Sequence, residues 1–84
     1  MAYSVYLKRS AEKELKDLPA KIHDKIIDVL LSLGDNPFPR NVKKLQGRES
    51  FRIRVGNYRV LYTVDETDKK IEVVSVADRK EAYR

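Results

Sequence analysis

The sequence predicts an α+β domain: an antiparallel sheet carrying a helical hairpin on one face, in the order β-α-α-β-β-β. Two runs of helically spaced apolar residues, separated by Pro19, predict the hairpin. Three runs of strand character in the second half predict most of the sheet, and the turn dipeptide Gly56-Asn57 joins the first two as antiparallel neighbours. A short alternating run near the N-terminus supplies the remaining strand. At 84 residues the chain makes a single domain spanning 1–84, with no internal repeat, linker or low-complexity segment.

Across residues 2–8, Tyr3, Val5 and Leu7 fall on one side, the period of a strand with one covered face. Ser10 is placed to cap a helix, and Glu12 and Glu14 sit in its first turn, where the helix dipole favours anions. Ala11, Leu15 and Leu18 form that helix's apolar stripe. Pro19 interrupts it and serves as an early position of the next helix. The second helix carries Ile22, Ile26, Val29, Leu30 and Leu33 along one stripe, widened by Ile27 and Leu31. Gly34 is a fitting stop before the loop Asp35-Asn36-Pro37-Phe38-Pro39. Strands follow near residues 50–55, 58–65 and 70–77, with Asp65 to Lys69 as the second connection. The middle one is apolar on both faces through Val60, Leu61, Tyr62 and Val64, as a central strand is. The polar residues 79–84 are expected to close as a single helical turn.

Hydrophobic residues make up 42% of the chain and charged residues 37%, the balance of a globular fold with a heavily charged exterior. A net charge of +5 makes polyanions the first partners to consider, although a small basic protein is as often simply basic. The absence of cysteine removes disulfide frameworks, thiolate zinc sites and cysteine nucleophiles together. The one histidine, His23, reads as a solvated helix position and cannot build a histidine cluster, so no metal and no cofactor are expected. No apolar run approaches the ~20 residues that span a bilayer, and no signal-peptide core is present, so the default is a cytoplasmic protein without membrane contact.

The chemistry-bearing pattern begins at Phe51. From there to Val55 apolar and basic residues alternate strictly, so Phe51, Ile53 and Val55 share one face and Arg52 and Arg54 share the other. Two arginines fixed side by side repel each other and lose rotamer freedom, a cost tolerated most readily where the face meets an anion. Arg59 follows the turn, at a position able to face the same way, and Arg79 leaves the end of the last strand with Tyr83 four residues on. Four guanidiniums and a phenol converging on one concavity suit a phosphodiester passing from one to two negative charges. The alternative is a solvated basic face without chemistry. Tyr3 and Tyr6 read as packing residues ahead of base-stacking platforms. Lys8, Arg9, Lys13 and Lys16 form a basic helix edge, for solubility or for contact with a nucleic acid.

Three segments together resemble the RelE/ParE superfamily of bacterial and archaeal toxins: Lys44-Leu45-Gln46-Gly47, the run from Phe51 to Tyr62, and Asp78-Arg79-Lys80-Glu81-Ala82-Tyr83-Arg84. With the helical hairpin ahead of them, the resemblance covers nearly the whole chain. It implies a microbial RNase-like fold. For the RelE branch it implies metal-free cleavage of messenger RNA in the ribosomal A site, next to ribosomal RNA, and silencing by a cognate antitoxin. The basic-x-basic pair falls on Arg52 and Arg54, the tyrosine-arginine pair on Tyr58 and Arg59, and the terminal pair on Arg79 and Tyr83. The implied catalytic set is Arg54, Arg59, Arg79 and Tyr83; Lys44, Arg52 and Arg54 are implied to hold RNA phosphates.

Two departures bear on mechanism. Many relatives carry lysine at the basic pair, and arginine, with a pKa above ~12, is a poor proton acceptor. Many also place a histidine just before the terminal arginine, where this chain has Asp78. The general base is therefore open between Asp78 and Glu81, each also an ordinary salt-bridge partner. A ParE-like gyrase poison and a degenerate, non-toxic homologue are the competing functions.

Overall fold

The computed structural model describes residues 2–45 and 50–78. Its elements are β1 (Ser4–Leu7), α1 (Arg9–Lys16), α2 (Ala20–Asp35), β2 (Val42–Lys44), β3 (Ser50–Val55), β4 (Tyr58–Asp65) and β5 (Lys70–Asp78). The strands form a single sheet in the order β1-β5-β4-β3-β2, which puts β4 at the centre. The α+β architecture with a helical hairpin on one face is as expected.

Two features of the sheet go beyond the expectation. It is mixed rather than wholly antiparallel, because β1 runs parallel to β5, from Ser4 beside Lys70 to Leu7 beside Val73. It also has a fifth strand, since Val42–Lys44 adds an antiparallel edge to β3. Alternation identifies a strand but carries no information on the direction of its neighbour, and three residues are too few for a period to register.

The helices cover the sheet through the predicted stripes. Ala11 and Leu15 of α1 and Ile26, Leu30 and Leu33 of α2 are buried against Phe51, Ile53, Val60, Tyr62, Ile71 and Val73. Ser10 is not the cap of α1, whose N-cap is Lys8, two residues earlier. Instead its hydroxyl donates to the Val74 carbonyl at 3.4 Å, and the Glu14 carboxylate accepts from the Val76 amide at 3.3 Å. Both bonds fall on the edge of β5 that β1 leaves uncovered after Leu7, so α1 completes a strand edge that would otherwise be bare. Val74 lies at a bulge, between Val73 opposite Tyr62 and Ser75 opposite Leu61. Gly34 does not end α2, which runs on to Asp35; its buried carbonyl accepts from the Tyr3 amide at 2.9 Å and anchors the start of β1. Gly56 has φ +60 and Asn57 does not have positive φ, the pattern of a two-residue hairpin turn with glycine first.

Candidate nucleic-acid interface

The β3–β4 register decides which side chains share the face opposite the helices. Phe51, Ile53 and Val55 pair with Tyr62, Val60 and Tyr58 on the helix side. On the open side Arg54 then stands directly opposite Arg59, and Arg52 opposite Leu61. The β2–β3 register adds Lys43 opposite Arg52. Lys43, Arg52, Arg54 and Arg59 thus occupy one corner of the open face, and Asn41, Lys43, Arg52 and Arg54 line a groove of about 340 Å³.

Solvent access is graded across this corner. Arg54 is exposed, Arg52 half-buried, and Arg59 only 7% exposed, the one buried charged side chain among the described residues. Where less water surrounds a guanidinium, its charge is less screened. The corner can hold a phosphodiester through several donors at once and can stabilise charge that grows on it.

Lys44 does not join this group. It pairs with Phe51 and lines a different groove, of about 360 Å³, with Phe38, Phe51, Val64 and Glu66. Lys43 takes the place on the arginine face, and sequence reasoning missed it together with Asn41. The only available signal was the alternation of Lys43 with Val42, in a strand of three residues. The Tyr58–Arg59 pair splits across the sheet: Arg59 faces the arginines, while Tyr58 lines a cavity of about 320 Å³ beside α1. Asp78, one candidate base, pairs with Tyr58 and lines that same cavity with Glu14 and Asp17, so it lies on the helix side, away from Arg54. Arg79, Glu81, Tyr83 and the expected turn at 79–84 lie outside the described residues. Tyr3 packs into the core as expected, but Tyr6 does not: it is exposed on the open face.

Among the described residues, no group of three His, Cys, Asp or Glu side chains is placed to hold a metal ion, and no helix is long and apolar enough to cross a membrane.

Comparison with known proteins identifies the family and its fold. Residues 5–83 match a family model described as the ParE toxin of the type II toxin–antitoxin system parDE. The chain is 33% identical over 88 residues to a toxin named RelE1 of Methanocaldococcus jannaschii, covering 100% of this chain and 98% of that one. Its fold is similar to the archaeal RelE–RelB complex of Pyrococcus horikoshii, with TM-score 0.86 at 32% identity, covering 94% of this chain and 97% of the other. It is also similar to the RelBE2 toxin–antitoxin complex of Mycobacterium tuberculosis, with TM-score 0.83 at 27% identity over 94% and 100% of the two chains. The chain belongs to the RelE-like branch of the RelE/ParE superfamily, the toxins of type II toxin–antitoxin systems.

Proposed function

We propose that this toxin is a ribosome-dependent endoribonuclease that cuts messenger RNA in the A site and thereby inhibits translation. The observation that carries the proposal is the opposition of Arg54 and Arg59 across one hairpin, flanked by Arg52 and Lys43. Such a corner matches a phosphodiester that gains negative charge as it reacts. A ribose 2′-hydroxyl attacks the adjacent phosphorus as its proton leaves to a base. The bond to the 5′-oxygen breaks, that oxygen takes up a proton, and the products are a cyclic phosphate and a free 5′-hydroxyl. Arg59, Arg54 and Arg79 stabilise the phosphorane, Arg52 holds the backbone, and Tyr83 orients the reacting nucleotide. Guanidiniums supply the positive charge, so the reaction needs neither metal nor cofactor. Positioning without a tuned base makes a slow enzyme that relies on the ribosome to align its substrate. Ribosomal RNA and messenger RNA in the cytoplasm are therefore partners. A cognate antitoxin is a further partner, supported by the RelE–RelB complexes of similar proteins.

The ParE description of the matching family model favours a second reading, a gyrase poison that cuts no RNA. Inducing the protein and mapping the 5′ ends of cellular transcripts decides between them. New 5′-hydroxyl ends within translated codons support the nuclease; gyrase-linked DNA breaks without such ends support the poison. Neither product, from a folded protein, marks a non-toxic homologue.

A further inference from the structure

Tyr6 stands at the opposite end of the open face from the arginines, on edge strand β1. It is 52% exposed, although the core has no use for it there. The register carries its face across the sheet without a break: Tyr6 pairs with Glu72, Glu72 with Thr63, and Thr63 with Ser50, two residues before Arg52. With ~4.8 Å between strands and ~3.3 Å per residue, the Tyr6 backbone lies roughly 16 Å from that of Arg52. A few nucleotides of extended single strand cover that distance.

The chemistry along this line changes in a definite way. Cations crowd the β2–β3–β4 corner, whereas beside Tyr6 the Glu72 carboxylate offsets the single ammonium of Lys70. The Tyr6 end therefore suits a base rather than a backbone. Its ring is reachable because the residue is half-exposed, with the Lys70 ammonium over it at 5.9 Å from the centroid. An exposed contact of that kind is weaker than the stacking of a base, so a base can displace it.

We propose that Tyr6 is a stacking platform for a nucleobase of the RNA strand whose phosphates lie on Lys43, Arg52 and Arg54. The proposal rests on the reading of this face as an RNA surface. Stacking tolerates any base and releases no counterions, so Tyr6 adds affinity that is independent of both sequence and salt.

The test uses the whole chain, a labelled oligoadenylate, and the same oligomer with abasic sites. Tyr6→Leu keeps an apolar strand residue and removes the ring; Tyr6→Phe keeps the ring. Tyr6→Leu is expected to weaken oligoadenylate binding by ~10-fold while leaving the slope of log affinity against log salt unchanged. Tyr6→Phe is expected to bind like the wild type, and the abasic oligomer to bind wild type and Tyr6→Leu alike. Wild-type affinity in Tyr6→Leu overturns the proposal, as does an equal loss for both oligomers, which marks a structural role. Arg52→Ala separates the two readings by reducing the size of the salt slope by about 0.7. If Arg52→Ala weakens binding and Tyr6→Leu does not, the RNA surface survives and the platform fails. If the wild type binds no RNA, both fail.

Discussion

Arg54 and Arg59 stand directly opposite each other across the β3–β4 hairpin, two guanidiniums on one rung of the sheet. Directly opposed like charges do not favour folding, and the proposed phosphodiester site gives the exposed Arg54 a reason to stand there. Replacing the exposed Arg54 by threonine, a good strand residue, is expected to leave stability unchanged or raise it by up to ~1 kcal/mol. Cleavage on programmed ribosomes is expected to fall by ~10²–10³-fold, the scale of losing one charge-stabilising donor. Thermal unfolding and 5′-end mapping on the same variant check both halves. A less stable but fully active variant contradicts the assignment.

Lys43 and Lys44 are neighbours in sequence on opposite faces of the sheet, and their substitution should separate cleanly. Each phosphate contact to a single strand contributes a log–log salt slope of about −0.7. Lys43→Ala is expected to remove about one such contact from RNA binding, and Lys44→Ala to leave the slope as it is. Titrations at several salt concentrations measure it; equal effects of the two substitutions rule out the placement.

Arg79 and Tyr83 enter through the proposed chemistry. Arg79→Ala is expected to lower the cleavage rate on ribosomes by ~10²–10³-fold. Tyr83→Ala should be severely impaired, and Tyr83→Phe distinguishes stacking, with activity mostly kept, from a hydroxyl role, with activity lost. His23→Ala on α2 serves as the near-neutral comparison, with thermal unfolding as the folding control. A folded Arg79→Ala that cuts at the wild-type rate puts the reacting phosphate elsewhere.

Tyr62 is fully buried at the centre of the sheet, where its hydroxyl donates to the Pro37 carbonyl at 2.7 Å and ties the loop after α2 to β4. Tyr62→Phe leaves that carbonyl without its donor and is expected to cost about 1–3 kcal/mol in chemical denaturation. Burial pushes the Tyr62 phenol well above its ordinary value of 10.0. The unfolded chain can therefore ionise it at a pH where the folded protein still holds the proton. This contribution is intact below pH ~10 and is lost above it, by at most about 1.4 kcal/mol per pH unit. The stability difference between wild type and Tyr62→Phe should accordingly shrink as pH rises past that point. A difference constant up to pH ~11 counts against it.

Much of this protein was legible in its sequence because the relevant signals are local. The 3.6-residue stripes placed Leu15, Ile26 and Leu33 in the core, and the two-residue period put Phe51, Ile53 and Val55 on one face and Arg52 and Arg54 on the other. Even the approach of Arg59 to Arg54 was within reach, because a two-residue turn at Gly56-Asn57 fixes the register of the strands it joins. Tertiary structure alone decided the parallel pairing of β1 with β5, the burial of Arg59, and the separation of Lys43 from Lys44. It also placed Asp78 on the helix side and left Tyr6 exposed on the arginine face. Each of these depends on which distant segment lies alongside. Backbone hydrogen bonding between strands accepts either direction and almost any side chain, so a strand's own residues do not specify its neighbour.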